Sequence, residues 1–127
     1  MIFQSIIKMK TLILTIWILF FLAYSSYAEE VYKYGIASYY TVKSSSKLTA
    51  SGEEFKENAF TCAIYDLKFG TMLKVTNIQN GKFVIVEVTD RGPHKRLKRA
   101  IDLTPIAFKQ IADLKQGLIS VKIEVIK

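Results

Sequence analysis

The feature that most restricts how this chain can fold is a hairpin pattern in the middle of the sequence. In its first half, polar neighbours alternate with Leu73, Val75 and Asn77. The pair Asn80-Gly81 is typical of a type I′ turn, and the apolar segment from Phe83 to Val88 predicts a buried return strand. The pattern therefore indicates a fold built mainly from strands.

Two more segments predict strands on either side of this hairpin. The aromatic segment from Tyr32 to Tyr40 contains Gly35, which indicates a bulge or a close backbone approach. The segment from Leu118 to Ile126 alternates β-branched and polar residues and predicts a final strand. The polar segment from Thr41 to Glu53 predicts a long exposed loop.

One helix is expected near the end of the chain. Thr104 is the predicted N-cap, Pro105 the first helical residue and Gly117 the stop. The predicted buried face consists of Leu103, Ala107, Ile111 and Leu114. Several short strands with one helix favour a small closed barrel over a helical bundle.

The first 28 residues differ in composition from the rest. Lys8 and Lys10 precede an apolar run from Leu12 to Ala23, and Ser26-Tyr27-Ala28 provides the small residues of a cleavage site. The run is shorter than the roughly 20 residues of a membrane span, so we expect a signal peptide over residues 1–28. Without a Cys after that site no lipid anchor is expected, and Met9 is an alternative start.

Residues 29–127 are expected to form one domain, since 99 residues suffice for a single modest core. They carry 16 of the 18 basic and all 11 acidic residues, a net charge of +5. An exported basic domain could meet an anionic cell surface, a polyanionic glycan or nucleic acid.

Cysteine and histidine are too scarce for several kinds of site. Cys62 is the single Cys and His94 the single His, so an internal disulfide cannot form and a tetrahedral zinc shell is incomplete. Cys62 is interpreted as a buried structural thiol rather than a nucleophile. We expect no metal and no cofactor.

Carboxylates are the remaining catalytic candidates, because glycosyl chemistry needs only carboxyl groups against an acid-labile acetal. Glu53 lies in a polar turn before Phe55, and Asp90 ends a buried strand. Burial would raise the pKa of Asp90 and a neighbouring cation would lower it. The alternatives are a solvated turn for Glu53, and a turn cap or ion pair with Arg91 for Asp90.

Six blocks, in order and in register, resemble the rare lipoprotein A (RlpA) family. They are YGIASYY, LTASGEEF, NAFTCA, LKFGTMLKVTN, NGKFVIVEVTDRGP and RAIDLTPIAF. The resemblance runs from about residue 34 to the C-terminus. It implies a mainly β fold, a six-stranded double-psi β-barrel with one or two short helices.

The resemblance also implies a function and a site. The family's lytic transglycosylases cleave the MurNAc–GlcNAc β-1,4 bond of glycan strands without stem peptides, and leave 1,6-anhydro ends. The family's catalytic pair corresponds to Asp90 as the acid/base group and Glu53 as its assistant, although the two roles could be exchanged. Expected substrate-binding residues are Tyr39, Thr49, Arg91, Lys95 and Arg99.

The positive loop after Asp90 is interpreted as a cationic rim or as a solvated loop. Its cations are Lys95, Arg96, Lys98 and Arg99. Asp102 is expected to fix the helix start or to pair with Arg99 rather than to take part in chemistry. Expected partners are peptidoglycan strands and cell-division or cell-wall proteins, with the protein a monomer in the periplasm or cell envelope.

The sequence departs from the family at one position that concerns chemistry. Ile64 stands where members commonly have His, and His94 is expected to be a solvated surface residue rather than its replacement. No glycan-binding SPOR repeat is expected after residue 127. A non-catalytic, expansin-like glycan-binding module is therefore the alternative function, and a nucleic-acid binder is disfavoured by the leader and the lack of a motif.

Overall fold

The computed structural model describes residues 2–25, 30–41 and 48–126. Its two α-helices are α1 (Ile2–Ser25) and α2 (Pro105–Ile111). Its strands are β1 (Glu30–Tyr39), β2 (Thr61–Ala63), β3 (Met72–Asn77), β4 (Phe83–Asp90), β5 (Ile101–Leu103) and β6 (Ile119–Val125). Two short 3₁₀ helices, Lys95–Leu97 and Leu114–Gln116, complete the described elements.

The six strands form a closed barrel in the order β1, β5, β2, β4, β3, β6, so the expected fold class is confirmed. Two strand pairs, β1 with β5 and β2 with β4, are parallel, and the other pairs are antiparallel. Closure leaves no unpaired sheet edge. It also brings the ends of strands that are distant in sequence to one end of the barrel.

The core fills the barrel with side chains from alternate strand positions, as the strand pattern predicts. In β3 and β4 the fully buried residues include Leu73, Val75, Val86 and Val88, and β6 contributes Val121 and Ile123. Helix α2 closes the barrel with Ala107, Phe108 and Ile111. The sequence prediction of the hairpin and of the final strand is confirmed.

The hairpin turn is longer than the predicted type I′ turn. Residues 78–82 connect the two strands, and among the described non-glycine residues only Lys98 has positive φ, so Asn80 lacks the dihedral that a type I′ turn needs. Asn80 instead accepts a hydrogen bond from Lys82 N at 2.9 Å and donates one to Ile111 O at 2.9 Å. Its side chain thus ties the turn to the end of α2.

Helix α2 is shorter than predicted, ending at Ile111 rather than before Gly117. Ala112 takes an extended conformation, while the amides of Asn77 and Asn80 donate to Ile111 O. These side chains satisfy a helix-end carbonyl, so the chain can leave the helix there. Gly117 ends the following 3₁₀ helix instead.

The start of α2 is where the sequence predicts it, but the predicted cap is wrong. Thr104 is at the N-cap position, yet its hydroxyl makes no capping bond and donates to Ala59 O. Leu103, expected on the helix, belongs to β5. The long-range bond to Ala59 holds the segment before β2 against the helix instead.

Gly35 allows a close approach between strands, one of its two predicted roles. A Cβ on Gly35 would lie 2.5 Å from the Cβ of Ala100, closer than side chains approach. The irregularity in register lies between Val31 and Lys33 rather than at Gly35. Gly35 therefore serves the packing of Ala100 against β1.

Helix α1 is longer than the apolar run from Leu12 to Ala23, because the residues before the run are helical too. The segment Ile2–Phe21 is long and apolar enough to cross a membrane, and its side chains are exposed. Length therefore does not separate a signal peptide from a membrane span here. The expected cleavage residues Ser26, Tyr27 and Ala28 lie outside the described residues, as do residues 42–47 of the predicted loop.

Candidate active site

The barrel register aligns two carboxylates on neighbouring strands. Ala63 of β2 pairs with Asp90 of β4 on one side and with Asp102 of β5 on the other. Adjacent strands lie about 4.8 Å apart, so the two aspartate backbones are roughly 10 Å apart. Ser38 of β1 pairs with Asp102 and extends the row. We call these residues the polar row: it consists of Ser38, Asp102 and Asp90, with Ala63 between the two aspartates.

Asp90 is held by backbone N–H groups rather than by cations. Its Oδ1 accepts from Ala50 N at 2.9 Å and from Arg91 N at 2.8 Å. The described hydrogen bonds to this carboxyl all use Oδ1, which leaves Oδ2 for a ligand. The turn-cap interpretation of Asp90 agrees with this geometry.

Glu53 lies in a tight turn that is bonded to the end of β4. Thr49 N and Thr49 Oγ1 donate to Glu53 O at 2.8 and 3.0 Å, and Ser51 N donates to Thr89 O at 3.1 Å. Gly52 provides the positive φ of +90° that the turn needs. Through Ala50 the same turn contacts Asp90, so the two predicted catalytic residues belong to one hydrogen-bonded unit.

A cleft of about 400 Å³ opens beside this turn. The Glu53 side chain is exposed to solvent at the cleft. Lining residues are Thr49, Glu53, Glu54, Lys56, Ala59, Thr61 and Thr89. Thr89 directly precedes Asp90, so the cleft adjoins the end of β4. Hydroxyl and carboxylate groups dominate its lining, which suits a ligand with many hydroxyl groups.

Arg91 does not pair with Asp90, so the ion-pair alternative is wrong. Its Nη1 donates to Ile64 O at 2.9 Å and to Leu67 O at 2.7 Å. Its guanidinium carbon lies 3.9 Å from the centre of the Phe69 ring. Arg91 thus fixes the connection between β2 and β3, and as a whole residue it is partly exposed.

The other expected binding residues divide into two groups. Lys95 is exposed, with Nζ 5.7 Å from the centre of the Tyr65 ring, and Arg99 Nη1 donates to Ser38 Oγ at 3.2 Å. Tyr39 packs on Phe108, with ring centres 5.0 Å apart, and its hydroxyl donates to Leu114 O. Tyr39 therefore supports α2, and we leave it out of the proposed site.

Asp102 is half-buried in the polar row and bonded to Ser38. The Ser38 hydroxyl donates to Asp102 Oδ1, and Arg99 Nη1 donates to the same Ser38 Oγ. Burial raises the pKa of Asp102, against the smaller lowering effects of the Ser38 hydrogen bond and the Arg99 charge. Asp102 sits inside β5, so its expected role at the helix start is wrong.

The turn after Asp90 covers the polar row. A Cβ on Gly92 would lie 3.6 Å from the Cβ of Ala63 and 3.9 Å from Asp102 Oδ2, and Gly92 has φ of +152°. Both are ordinary contact distances, so the positive φ rather than a lack of space favours glycine at this position.

Tyr40 is a further neighbour of the polar row. Its ring stacks on Phe55, with centres 4.6 Å apart. Its buried hydroxyl has no hydrogen-bond partner of good distance and angle among the described residues, although Thr61 lies close enough to lower the pKa of Tyr40 slightly. Burial is the main cause of the raised pKa of Tyr40, and the charge of Asp90 is the next largest. The phenol therefore stays protonated.

Ile64 and Cys62 belong to the core of the barrel. Ile64 is 1% exposed, and its N–H donates to Asp90 O at 3.1 Å, so only its backbone serves the site. Burial, and then the charge of Glu87, raises the pKa of the Cys62 thiol, which agrees with a structural thiol. His94 is exposed and accepts from Arg96 N at 3.3 Å, within its own loop.

No group of three or more His, Cys, Asp or Glu side chains close enough to hold a metal occurs in the described part of the chain.

Comparison with known proteins relates the chain to cell-wall enzymes. A family model described as "Lytic transglycolase" matches residues 32–123. The chain is 42% identical over 95 residues to the "Probable endolytic peptidoglycan transglycosylase RlpA" of Treponema pallidum, which covers 75% of this chain and 30% of that protein. It is 44% identical over 92 residues to the "Endolytic peptidoglycan transglycosylase RlpA" of Campylobacter jejuni, which covers 72% of this chain and 33% of that protein.

The chain thus spans about a third of the length of these curated relatives. Solved structures share its barrel. The Streptomyces papain inhibitor superposes with a TM-score of 0.61 at 21% identity, covering 76% of this chain and 97% of that one. A Clavibacter michiganensis expansin in complex with cellohexaose superposes at 0.57 and 20% identity, covering 74% and 50%. At these identities the likeness concerns the fold alone.

Proposed function

This chain belongs to the RlpA family of lytic transglycolases, and on that premise we propose that it is an endolytic peptidoglycan lytic transglycosylase. It would cleave MurNAc–GlcNAc β-1,4 bonds of strands without stem peptides and leave 1,6-anhydro ends. The observation that carries the proposal is the geometry of Asp90. Two backbone N–H groups fix its Oδ1 and leave Oδ2 for a substrate, beside a polar cleft.

The chemistry needs one proton delivered and one removed. Asp90 would protonate the departing glycosidic oxygen as the bond from C1 breaks, and the C6 hydroxyl of the same sugar would form the new bond to C1. The proton of that hydroxyl would pass to the ionised Asp90 or to Glu53. Since the nucleophile is part of the substrate, the protein supplies mainly orientation, proton transfer and stabilisation of positive charge at C1.

Glu53 is suited to the assisting role because of its position at the cleft. Its carboxylate is exposed there, whereas the backbone of its turn is bonded to β4 through Ala50 and Ser51. A negative charge held near C1 would stabilise an oxocarbenium-like state. Thr49 would contribute to the cleft wall, and Arg91, Lys95 and Arg99 would face acidic groups of the substrate.

We also propose how the protein is placed in the cell. The apolar α1 suits an exported protein of the cell envelope, with residues 1–28 as the leader and 29–127 as the barrel domain. Its partners would be glycan strands and other cell-wall or cell-division proteins, and it would act as a monomer without metal or cofactor.

The test is mass spectrometry of products from denuded peptidoglycan strands incubated with the full chain in detergent. Asp90→Asn and Glu53→Gln are compared with Asp113→Asn, an exposed aspartate whose Oδ1 likewise accepts a backbone bond, from Lys115 N. We expect anhydro-ended fragments from the wild type and Asp113→Asn. Loss of the acid/base group should slow their release about 10²- to 10⁴-fold.

The alternative, a non-catalytic glycan-binding module, is favoured by Ile64, which is buried and can carry no proton. It predicts strands that stay intact but sediment together with wild-type protein. That result would refute the transglycosylase proposal and keep the binding function.

A further inference from the structure

We propose that Tyr65 and Phe69 form an exposed platform beside Asp90 that binds a sugar ring, and that neighbouring cations bind a carboxylate on that sugar. The two rings, which we call the aromatic platform, are 40% and 42% exposed. The proposal rests on the proposed function and adds to it a binding subsite and its ligand class, an acidic saccharide.

The platform is held in place relative to Asp90. Its segment between β2 and β3 is bonded to β4 at both ends, by Ile64 N to Asp90 O at 3.1 Å and by Gly70 N to Val88 O at 2.9 Å. Arg91 adds two bonds to carbonyls within this segment. A ligand on the platform would therefore pay little ordering entropy.

The rings present surfaces of the kind that sugars use. The guanidinium of the more buried Arg91 lies over one face of Phe69, so the exposed area of this ring belongs to its other face and its edge. Apolar C–H groups on one side of a pyranose can pack against such a face. Exposed aromatic surface held against the end of β4, beside Asp90, marks a binding site more often than isolated apolar residues do.

The charges near the platform favour an anionic ligand. Arg91 and Lys95 lie over the two rings, and Arg96, Lys98 and Arg99 follow in the next loop. The opposing carboxylates are Asp66 in the platform segment, Asp90, and Asp102, on which the charge of Arg99 acts. Cations therefore outnumber carboxylates near the platform. An anionic sugar would gain an electrostatic attraction there that a neutral sugar lacks.

The muramic acid unit of peptidoglycan has the required chemistry. Its lactyl carboxyl is an amide while the stem peptide is attached and becomes a free carboxylate once that amide is hydrolysed. A cationic subsite would thus bind strands from which an amidase has removed the peptide. The reaction that supplies this substrate would be an amide hydrolysis.

The experiment measures the dissociation constant of the full chain, kept in detergent, for denuded glycan strands and for a chito-oligosaccharide of similar length, which lacks the lactyl group. Tyr65→Ala and Phe69→Ala should each weaken both complexes about two- to tenfold, the value of one aromatic contact. Lys95→Gln should weaken binding of the strands and leave the neutral oligosaccharide unaffected. Its effect should also fade at high salt.

Phe83→Ala is the matched control. Phe83 is 54% exposed and has Lys74 over its ring at 4.5 Å, but it begins β4 whereas Asp90 ends it. Binding by Phe83→Ala should equal that of the wild type. The aromatic platform is overturned if Tyr65→Ala and Phe69→Ala bind normally, or if Phe83→Ala is equally impaired.

The product assay separates this inference from the proposed function. Anhydro products formed by Tyr65→Ala and Phe69→Ala with unchanged KM would support the enzyme and refute the platform. Impaired binding by these variants, with no anhydro product from the wild type, would support the platform and refute the enzyme. Equal effects of Lys95→Gln on both ligands would refute the carboxylate contact.

Discussion

At the level of single residues, the polar row places two aspartates in different environments on the same surface of the barrel. Asp90 ends its strand, and two backbone N–H groups fix its Oδ1. Asp102 lies under the turn of Gly92 and is bonded to Ser38. Position along the strand therefore separates a carboxyl fixed by backbone N–H groups from one whose pKa is raised by burial.

Asp102 should make stability fall as the pH rises from the acid range. Its folded-state pKa lies above the ordinary value of 3.8, so the native state binds the proton more tightly than the unfolded chain. The stability that this proton provides is fully present below pH 3.8 and is lost as the pH rises through the folded-state pKa. The free energy of unfolding of Asp102→Asn minus that of the wild type should increase as the pH rises from below 3.8 through the folded-state pKa.

Urea denaturation at several pH values measures this difference. Ser38→Ala is the control for the sign of this effect. It removes a hydrogen bond that lowers the pKa of Asp102, so the folded-state pKa should rise further. The free energy of unfolding of Ser38→Ala should therefore keep decreasing up to a higher pH than that of the wild type. Wild-type and Asp102→Asn curves that run parallel across the range would contradict the argument.

At the level of elements, the site depends on two of the shortest strands. β2 and β5 have three residues each, and together they join β4 to β1 through the polar row. Such short strands are held by their surroundings: Thr104 N donates to Thr61 O at 3.2 Å, and Gly35 packs against Ala100, the residue before β5. The geometry of Asp90 therefore relies on packing at some distance from it.

Gly35→Ala tests the contact that positions β1 against Ala100. The new Cβ would meet the Ala100 Cβ at 2.5 Å, so the backbone must shift. We expect a loss of about 1–3 kcal/mol in the free energy of unfolding, as for other overpacked sites. Urea denaturation provides the measurement.

The double variant Gly35→Ala with Ala100→Gly is its matched control, because it restores the missing space. It should be more stable than the sum of the two single changes predicts. Additive losses would mean that Gly35 matters for its backbone alone.

At the level of the whole molecule, α1 and the barrel differ in the surroundings that stabilise them. The described side chains of α1 are exposed and mostly apolar, whereas the barrel has a closed core. An apolar helix of 24 residues needs a membrane or removal, because water does not stabilise so much apolar surface.

The mass of the exported protein distinguishes removal of α1 from retention. We expect the envelope fraction of cells expressing the chain to contain a product that begins at Glu29, measured by intact-protein mass spectrometry. Replacing Ala28 with Tyr should block that processing, whereas Tyr34→Ala, within the exposed part of β1, should leave it unchanged. Full-length protein in the membrane pellet would show that α1 is retained as a span.

The sequence alone determined the elements whose signal is local. The hairpin of β3 and β4, the strand β6 and the Thr104-Pro105 helix start follow from alternation, turn residues and fixed proline geometry, which act within a few residues. The double-psi barrel and the candidates Glu53 and Asp90 came from family blocks in register. The core role of Cys62 followed from the absence of partners for chemistry.

Tertiary structure alone decided what depends on residues distant in sequence. Asn77 and Asn80 end α2 from across the barrel, and Arg91 bonds carbonyls of the segment between β2 and β3 rather than Asp90. Burial within the closed barrel raises the pKa of Asp102, while a hydrogen bond from Ser38, which is distant in sequence, partly opposes that rise. Register and burial are properties of the closed barrel, because they arise only when strands separated by tens of residues become neighbours.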